Sequence, residues 1–242
     1  MEKKKLNIGI QGIKGSYHHI VSEYYFKDNF HLRECLSFDQ LAEEIIKSNI
    51  DKGVMAIENS IAGSIIPNYA LIDQNELRIV GEVYFKIDHN LMAVHGEKIE
   101  KITEIYSHPM ALLQCKSFFS QYPHIRLVES DDTADEARRI SKNNLKGIAA
   151  IASLEAAKYY DLKILKKSIQ TIKMNITRFV IVQKKSYEIN SDKIDKASLK
   201  FILDDKRGSL AAVLNAMSDC KLNLTKIQSL PIIEKPGKYA FF

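Results

Sequence analysis

The chain has 242 residues, 45% hydrophobic and 27% charged, enough to bury a real core and to divide into more than one unit. A formal charge of +5 comes from lysines spread along the whole chain, which argues against a nucleic-acid partner and suits a small anionic ligand at least as well. The three cysteines, Cys35, Cys115 and Cys220, are widely separated and odd in number, so they suggest neither a disulfide framework nor a Cys-x-x-Cys zinc site.

The apolar run behind the charged Met1 to Lys5 is short and interrupted by Asn7 and Gly9, unlike a signal-peptide core. No stretch approaches the roughly 20 apolar residues of a membrane span, so a cytoplasmic protein with no membrane partner is expected. From residue 6 to about 183, short apolar runs alternate with amphipathic segments of helix length, the pattern of βα units around largely parallel sheets. Strands are predicted at 6–10, 53–57, 77–83, 91–94, 104–106, 125–128, 147–151 and 178–182. Residues 184–196, KKSYEINSDKIDK, lack an apolar period and are the predicted linker. A second domain over 197–242 reads as a strand at 198–203, a turn at 204–208, a helix at 209–220, a strand at 222–230, a turn around Pro236 and Gly237, and a strand start at 238–242. A β-α-β-β unit leaves a sheet edge open, so a truncated domain is expected.

The densest polar motifs all follow a predicted strand, the end at which open α/β sheets place their ligands. These are Gln11-Gly12-Ile13-Lys14-Gly15-Ser16-Tyr17-His18, Glu58-Asn59-Ser60-Ile61-Ala62-Gly63-Ser64, Ser107-His108-Pro109 opening a helix that carries Gln114, and Ser130-Asp131-Asp132-Thr133-Ala134. Each also has a structural reading. Gly12 and Gly15 shape a tight turn, Ser107 or His108 starts a helix ahead of Pro109, and Asp132 or Thr133 caps one. Glu58-Asn59-Ser60 is harder to read that way, because three consecutive hydrogen-bonding side chains at the end of a buried strand need partners. Ser107 and Gln114, seven apart, are expected on roughly the same side of one helix. Helix N-termini at these loops suit an anion.

Seven histidines invite a metal reading, above all His18-His19 and His89 with His95. No His-Glu-x-x-His motif or cysteine partner supports it, so neither a metal nor a cofactor is expected. No Gly-x-Ser-x-Gly elbow follows a strand, which leaves a serine hydrolase little support.

Taken in order, Gln11-Gly12-x-x-Gly15, Gly53-Val54-x-x-Ile57-Glu58-Asn59-Ser60-x-Ala62-Gly63, Tyr106-Ser107-His108-Pro109 with Gln114, Asp132-Thr133-Ala134, Ala149-Ala150-Ile151-Ala152-Ser153 and Asn175-x-Thr177-Arg178-Phe179 closely resemble the prephenate dehydratases, over about residues 6–183. The tail, with Gly208-Ser209-Leu210, Asn223-Leu224-Thr225-Lys226-Ile227 and Gly237-Lys238-Tyr239, resembles the ACT regulatory domain fused behind that catalytic domain.

The resemblance implies an α/β catalytic domain over 1–183 with two lobes like those of type II periplasmic binding proteins and a site between them. Lobe 1 would span about 1–86 and 177–183, and lobe 2 about 87–176. A partial α+β, ferredoxin-like ACT domain would follow. It implies a lyase that decarboxylates and dehydrates prephenate to phenylpyruvate in phenylalanine biosynthesis, with Thr177 as proton donor. Asn59, Ser60, Ser107, Gln114, Thr133 and Arg178 would bind the substrate. L-Phenylalanine would act as effector at Gly208, Ser209, Leu210, Asn223 and Leu224, in a homodimer or homotetramer. One departure bears on that control: the family's Glu-Ser-Arg-Pro stretch reads Gln228-Ser229-Leu230-Pro231 here, one negative and one positive charge fewer. An arogenate dehydratase and a non-catalytic two-lobed sensor of a small carboxylate are the rival readings.

Overall fold

Two βα units open the chain: β1 (Leu6–Gln11), α1 (Tyr17–Phe26), β2 (Phe30–Cys35), α2 (Phe38–Ile46) and then β3 (Lys52–Asn59). The computed structural model describes residues 5–27, 29–187, 194–232, 235 and 238–242. β1 pairs in parallel with both β2 and β3. The helices start where Ser16 and Ser37 cap them, each hydroxyl accepting a backbone N–H three residues on, from His19 and Gln40. A short β4 (Gly63–Ser64) folds back on β3, and α3 (Ile66–Gln74) leads to β5 (Leu77–Lys86).

The chain then leaves for a second sheet, built from β6 (Asn90–Ala93), β7 (Glu104–Ser107), α4 (Pro109–Phe119), β8 (Arg126–Glu129), α5 (Thr133–Lys142), β9 (Ile148–Ala152), α6 (Leu154–Tyr159) and β10 (Lys163–Lys166). It returns as β11 (Ile176–Lys184), which inserts antiparallel between β3 and β5. The first sheet therefore runs β2-β1-β3-β11-β5 and the second β10-β6-β9-β7-β8.

Each sheet is buried on both faces. In the first, Ile8, Ile10, Phe179 and Ile181 pack on one side with Val21 of α1, while Met55, Ile57, Val180 and Val182 pack on the other with Leu41 and Ile45 of α2. In the second, Leu91, Ile105 and Ile151 meet Leu112, Cys115 and Phe119 of α4, and Met92, Ala150 and Ala152 meet Ala134, Ala137 and Ile140 of α5. Helices on both faces of mixed sheets make this a two-lobed α/β fold. The lobes touch where the loop after β1 sits on the starts of α5 and α6. A Cβ on Gly15 would lie 2.8 Å from Ala156 Cα, and one on Gly12 2.7 Å from Asp132 Oδ2. Ser153 Oγ donates to Gly15 O at 2.6 Å and Tyr160 Oη to Lys14 O at 2.6 Å.

The sequence pattern misses β2, β4 and β10. In β2 and β10, both edge strands, charged residues interrupt the apolar signal: Arg33 and Glu34 in the one, Lys163 and Lys166 in the other.

By its contacts the chain divides into two compact units, Met1–Glu188 and Ile189–Phe242. The second unit contains β12 (Phe201–Ile202), α7 (Ser209–Asp219), β13 (Ser229–Pro231) and β14 (Tyr239–Phe241), in the antiparallel order β12-β14-β13. The strand expected over 222–230 is shorter than the pattern suggests, since only its end pairs with β14. Within the expected linker, Lys184 ends β11 and a turn follows through Tyr187. Residues 188–193 lie outside the described residues, as do Pro236 and Gly237 of the expected turn.

Candidate active site

Five polar side chains join the two sheets where the chain crosses between them: Asn59 at the end of β3, Thr177 opposite it on β11, Asn175 on the return crossover, Gln114 on α4 and His89 on the outward crossover. Asn175, Thr177 and His89 are buried, and Asn59 and Gln114 half-buried. A bulge helps to set the pairing. Thr177 pairs with Asn59 and Arg178 with Glu58, but Phe179 pairs with Ala56, so Ile57 is the extra residue in β3.

The direction of each hydrogen bond follows from the backbone. Asn59 Oδ1 faces the N–H groups of Ile61 and Ala62, at 3.0 and 2.9 Å, and two N–H donors require the oxygen there. Asn59 Nδ2 must then point the other way, donating to Asn175 Oδ1 at 2.6 Å and Thr177 Oγ1 at 2.9 Å. Asn175, held by its oxygen, donates Nδ2 to Gln114 Oε1 at 2.8 Å. His89 Nε2 lies 2.7 Å from that same oxygen, and since an amide oxygen only accepts, this nitrogen carries the ring proton. Burial lowers the His89 pKa, although the bond to Gln114 works against that, so the ring is neutral.

Two donors are left over. The Thr177 oxygen accepts from Asn59, and among the described residues nothing accepts its proton. Both N–H bonds of Gln114 Nε2 are likewise without a described acceptor, because only the oxygen of that amide is engaged. A network polarised in one direction from the backbone thus presents donors, the arrangement that receives an anion or an oxygen leaving group.

The other expected residues sit differently. Ser60 is exposed, and its hydroxyl accepts from Ile176 N at 3.0 Å and reaches Met174 O at 3.4 Å, pinning the return crossover. Ser107 is fully buried at the end of β7 and donates to Ile151 O at 2.7 Å. It is a strand residue, so the expectation that it shares a helix side with Gln114 is corrected. Asp132, rather than Thr133, caps α5. Burial raises the Asp132 pKa, which the capped amides oppose. Thr133 is half-buried with no described hydrogen bond from its hydroxyl.

Arg178 does not join the set. As Thr177's neighbour on a strand it points to the opposite face. There its Nε and Nη2 both meet Glu82 Oε2, at 2.9 and 2.8 Å, and the guanidinium lies 5.8 Å from the Tyr84 ring centre. That sets Arg178 apart from the expected substrate-binding set, because Glu82 already supplies its counter-charge.

The effector residues do not converge within one chain. Gly208, Ser209 and Leu210 start α7, whereas Asn223 and Leu224 follow its far end, roughly 15 Å along the helix axis. Sequence reasoning treats His89 only as a weak metal candidate and passes over Gln170, which is fully buried and holds His89 N at 2.9 Å. The signal that was available is a run of polar residues at both crossovers. Among the described residues no group of three or more His, Cys, Asp and Glu side chains is disposed to hold a metal. A surface depression lined by Ile46, Asn75, Glu76 and Lys184 lies at the opposite end of β11 from Thr177 and, among the described residues, holds no comparable network.

The family model described as "Prephenate dehydratase" matches residues 8–187. The bifunctional chorismate mutase/prephenate dehydratase of Buchnera aphidicola subsp. Schizaphis graminum is 34% identical over 234 residues, which cover 96% of this chain and 61% of that protein. Arogenate dehydratase 2 of Petunia hybrida is 37% identical over 231 residues, covering 96% and 58%. The chain thus spans about three fifths of the length of these relatives. A solved prephenate dehydratase from Arthrobacter aurescens, in complex with L-Phe, superposes with a TM-score of 0.83 at 22% identity, covering 98% of this chain and 78% of that one, a likeness of fold. With a family match over more than half its length and relatives above 30% identity across nearly all of it, this chain belongs to the prephenate dehydratase family.

Proposed function

We propose that the protein converts prephenate to phenylpyruvate, CO2 and water, with Thr177 as the proton donor. The observation that carries this reading is the polarity of the network, which leaves the Thr177 hydroxyl and the Gln114 amide as unengaged donors. Prephenate bears a ring carboxylate and a ring hydroxyl at opposite positions of a cyclohexadiene. The bond to the carboxylate breaks, its electron pair enters the ring, and the hydroxyl departs from the other side. Taking up one proton, it leaves as water, and the ring becomes aromatic. The driving force lies in the substrate, so the protein has to orient it, stabilise its charge and supply that proton.

A free threonine hydroxyl is a poor acid. The N–H that Asn59 donates to Thr177 Oγ1 favours negative charge on that oxygen and makes the hydroxyl a better donor. Gln114 and Thr133 then hydrogen-bond the carboxylates and the hydroxyl, Asn59 and Ser60 hold Thr177 and its crossover, and Ser107 supports the sheet beneath. Arg178 braces β11 against β5 through Glu82.

The second unit is read as a partial, ferredoxin-like ACT domain. β12 and β13, joined through α7, lie on either side of β14, the split β-α-β arrangement of that fold. L-Phenylalanine is the proposed effector, in keeping with the ligand of the Arthrobacter aurescens structure. Because Gly208 to Leu210 and Asn223 to Leu224 stand at opposite ends of α7, pairing of two chains in a homodimer or homotetramer would complete its site. The proposed compartment is the cytoplasm; among the described residues no helix is long and apolar enough to cross a membrane.

Arogenate is the second substrate reading, favoured by the Petunia hybrida relative. The test is product formation by the purified protein from prephenate and from arogenate in parallel, with Thr177→Ala beside it. The expected result is phenylpyruvate from prephenate, and a roughly 10²–10⁴-fold lower kcat in a normally folded Thr177→Ala. Preference for arogenate would move the protein to the sister reaction, near-normal turnover by the variant would remove Thr177 from the mechanism, and no turnover of either substrate would favour a sensor.

A further inference from the structure

Gln114 is held by its oxygen alone, from two sides, and one of the two holders belongs to none of the motifs that carry the family likeness. That holder is His89. Its backbone is held independently of Gln114: the N–H donates to Gln170 Oε1 at 2.9 Å and the carbonyl accepts from Ile169 N at 2.8 Å. Gln170, fully buried, is itself tied by Nε2 to Asp88 Oδ1 at 2.7 Å. Only 6% of His89 is exposed, and its Nδ1 meets no partner among the described residues. Among the described residues the one polar contact of the ring is therefore the bond from Nε2 to Gln114.

We infer that His89 is a positioning residue for Gln114: together with Asn175 Nδ2, its Nε2–H holds the glutamine oxygen, so that the amide presents N–H groups to the substrate. This rests on the reading of Gln114 as a substrate-binding residue. The physical point is the near-symmetry of an amide, whose oxygen and nitrogen exchange places by a half-turn. Asn175 Nδ2 is a fixed donor. Because His89 Nδ1 has no acceptor among the described residues, a ring proton placed there would be buried and unpaired, so the ring too favours donation from Nε2. A turned amide would set its NH2 against both N–H groups or force the ring proton into that unpaired position. A turned amide would also aim an oxygen at a carboxylate. The His89 bond thus acts on substrate affinity through Gln114 while touching no substrate atom.

The test is a double-mutant cycle on the full chain, with kcat and KM for His89→Phe, His89→Gln, Gln114→Ala and His89→Phe/Gln114→Ala, each checked for folding by thermal melting. His89→Phe keeps an aromatic ring and removes the donor; His89→Gln places an amide N–H close to where Nε2 stood. The expected result is a loss in kcat/KM of about 10-fold for His89→Phe, mostly in KM, recovery of most of that loss in His89→Gln, and no further loss when His89→Phe is added to Gln114→Ala. If His89→Phe melts too low to assay, His89→Asn, whose amide falls short of the Gln114 oxygen, takes its place in the cycle. Losses that add independently, or no recovery in His89→Gln, would reduce His89 to a core histidine and overturn the inference while Gln114 keeps its role. Wild-type kinetics in Gln114→Ala would instead remove the underlying reading and the inference with it.

Discussion

At the scale of single residues, two backbone N–H groups decide the chemistry that the site presents. Ile61 and Ala62 orient Asn59, and through it Asn175, Gln114, the His89 tautomer and the accepting role of Thr177. A second histidine shows what burial does without such partners. His18 packs edge-on against Phe38 and Phe179, with ring centres 5.3 and 5.1 Å away, and its Nε2 lies 3.4 Å from Ala56 N. Burial pushes its pKa down from 6.5 to about 4. The folded protein therefore keeps this ring neutral while the unfolded chain protonates it near 6.5. The stability it contributes is complete above pH 6.5 and is lost as the pH falls toward 4; a shift of that size is worth roughly 3 kcal/mol at most. His89, also lowered by burial, adds a loss of the same sign. Thermal melts between pH 7 and 4.5 should show a falling Tm, with a smaller fall in His18→Phe. Parallel curves for the two proteins would refute the assignment.

At the scale of elements, the loop after β1 joins the lobes, and glycine is required there for two separate reasons. Gly15 has φ +86, and a Cβ would also press on the Ala156 backbone. Gly63 provides a control, with φ +80 and nothing within 4 Å of where a Cβ would stand. Gly63→Ala should cost about 1–2 kcal/mol for the left-handed backbone alone. Gly15→Ala should cost about 1–3 kcal/mol more, from overpacking against α6. Urea denaturation of the two variants measures the difference, and equal costs would mean that the lobes adjust freely at this contact. The β3 bulge at Ile57 works at the same scale, shifting the register between the Phe179–Ala56 and Thr177–Asn59 pairings.

At the scale of the whole molecule, the proposed regulation is what links the second unit to turnover. Binding that favours the folded state raises stability by RT ln(1 + [L]/Kd), about 2.7 kcal/mol at a hundredfold excess over Kd. L-Phenylalanine added to the full chain should therefore raise Tm by a few degrees and reduce phenylpyruvate formation. If it does neither, the effector proposal fails. By the resemblance, Gln228 and Leu230 would stand where the family's stretch has two charges, which makes this outcome informative; Leu230 is 9% exposed and pairs with Ala240 in the sheet.

The sequence by itself determined the α/β class, most of the central strands and the motifs of the family, because buried strands such as β1, β3 and β9 are apolar on both faces and polar loops must follow them. Strands β2 and β10 were not legible, since Arg33 and Glu34 in the one and Lys163 and Lys166 in the other break the apolar run by which the remaining strands were recognised. Asn59, Gln114 and Thr177 were visible as motif residues, but their partnership was not: Asn59 and Thr177 are 118 positions apart, and Gln114 and Asn175 are 61. Only the tertiary structure decided that Arg178 faces Glu82, that Ser60 and Ser107 bind backbone, and that His89 donates to Gln114. The physical reason is that hydrophobic periodicity records which side of an element is buried, whereas the direction of a hydrogen bond depends on which distant group the fold brings within about 3 Å.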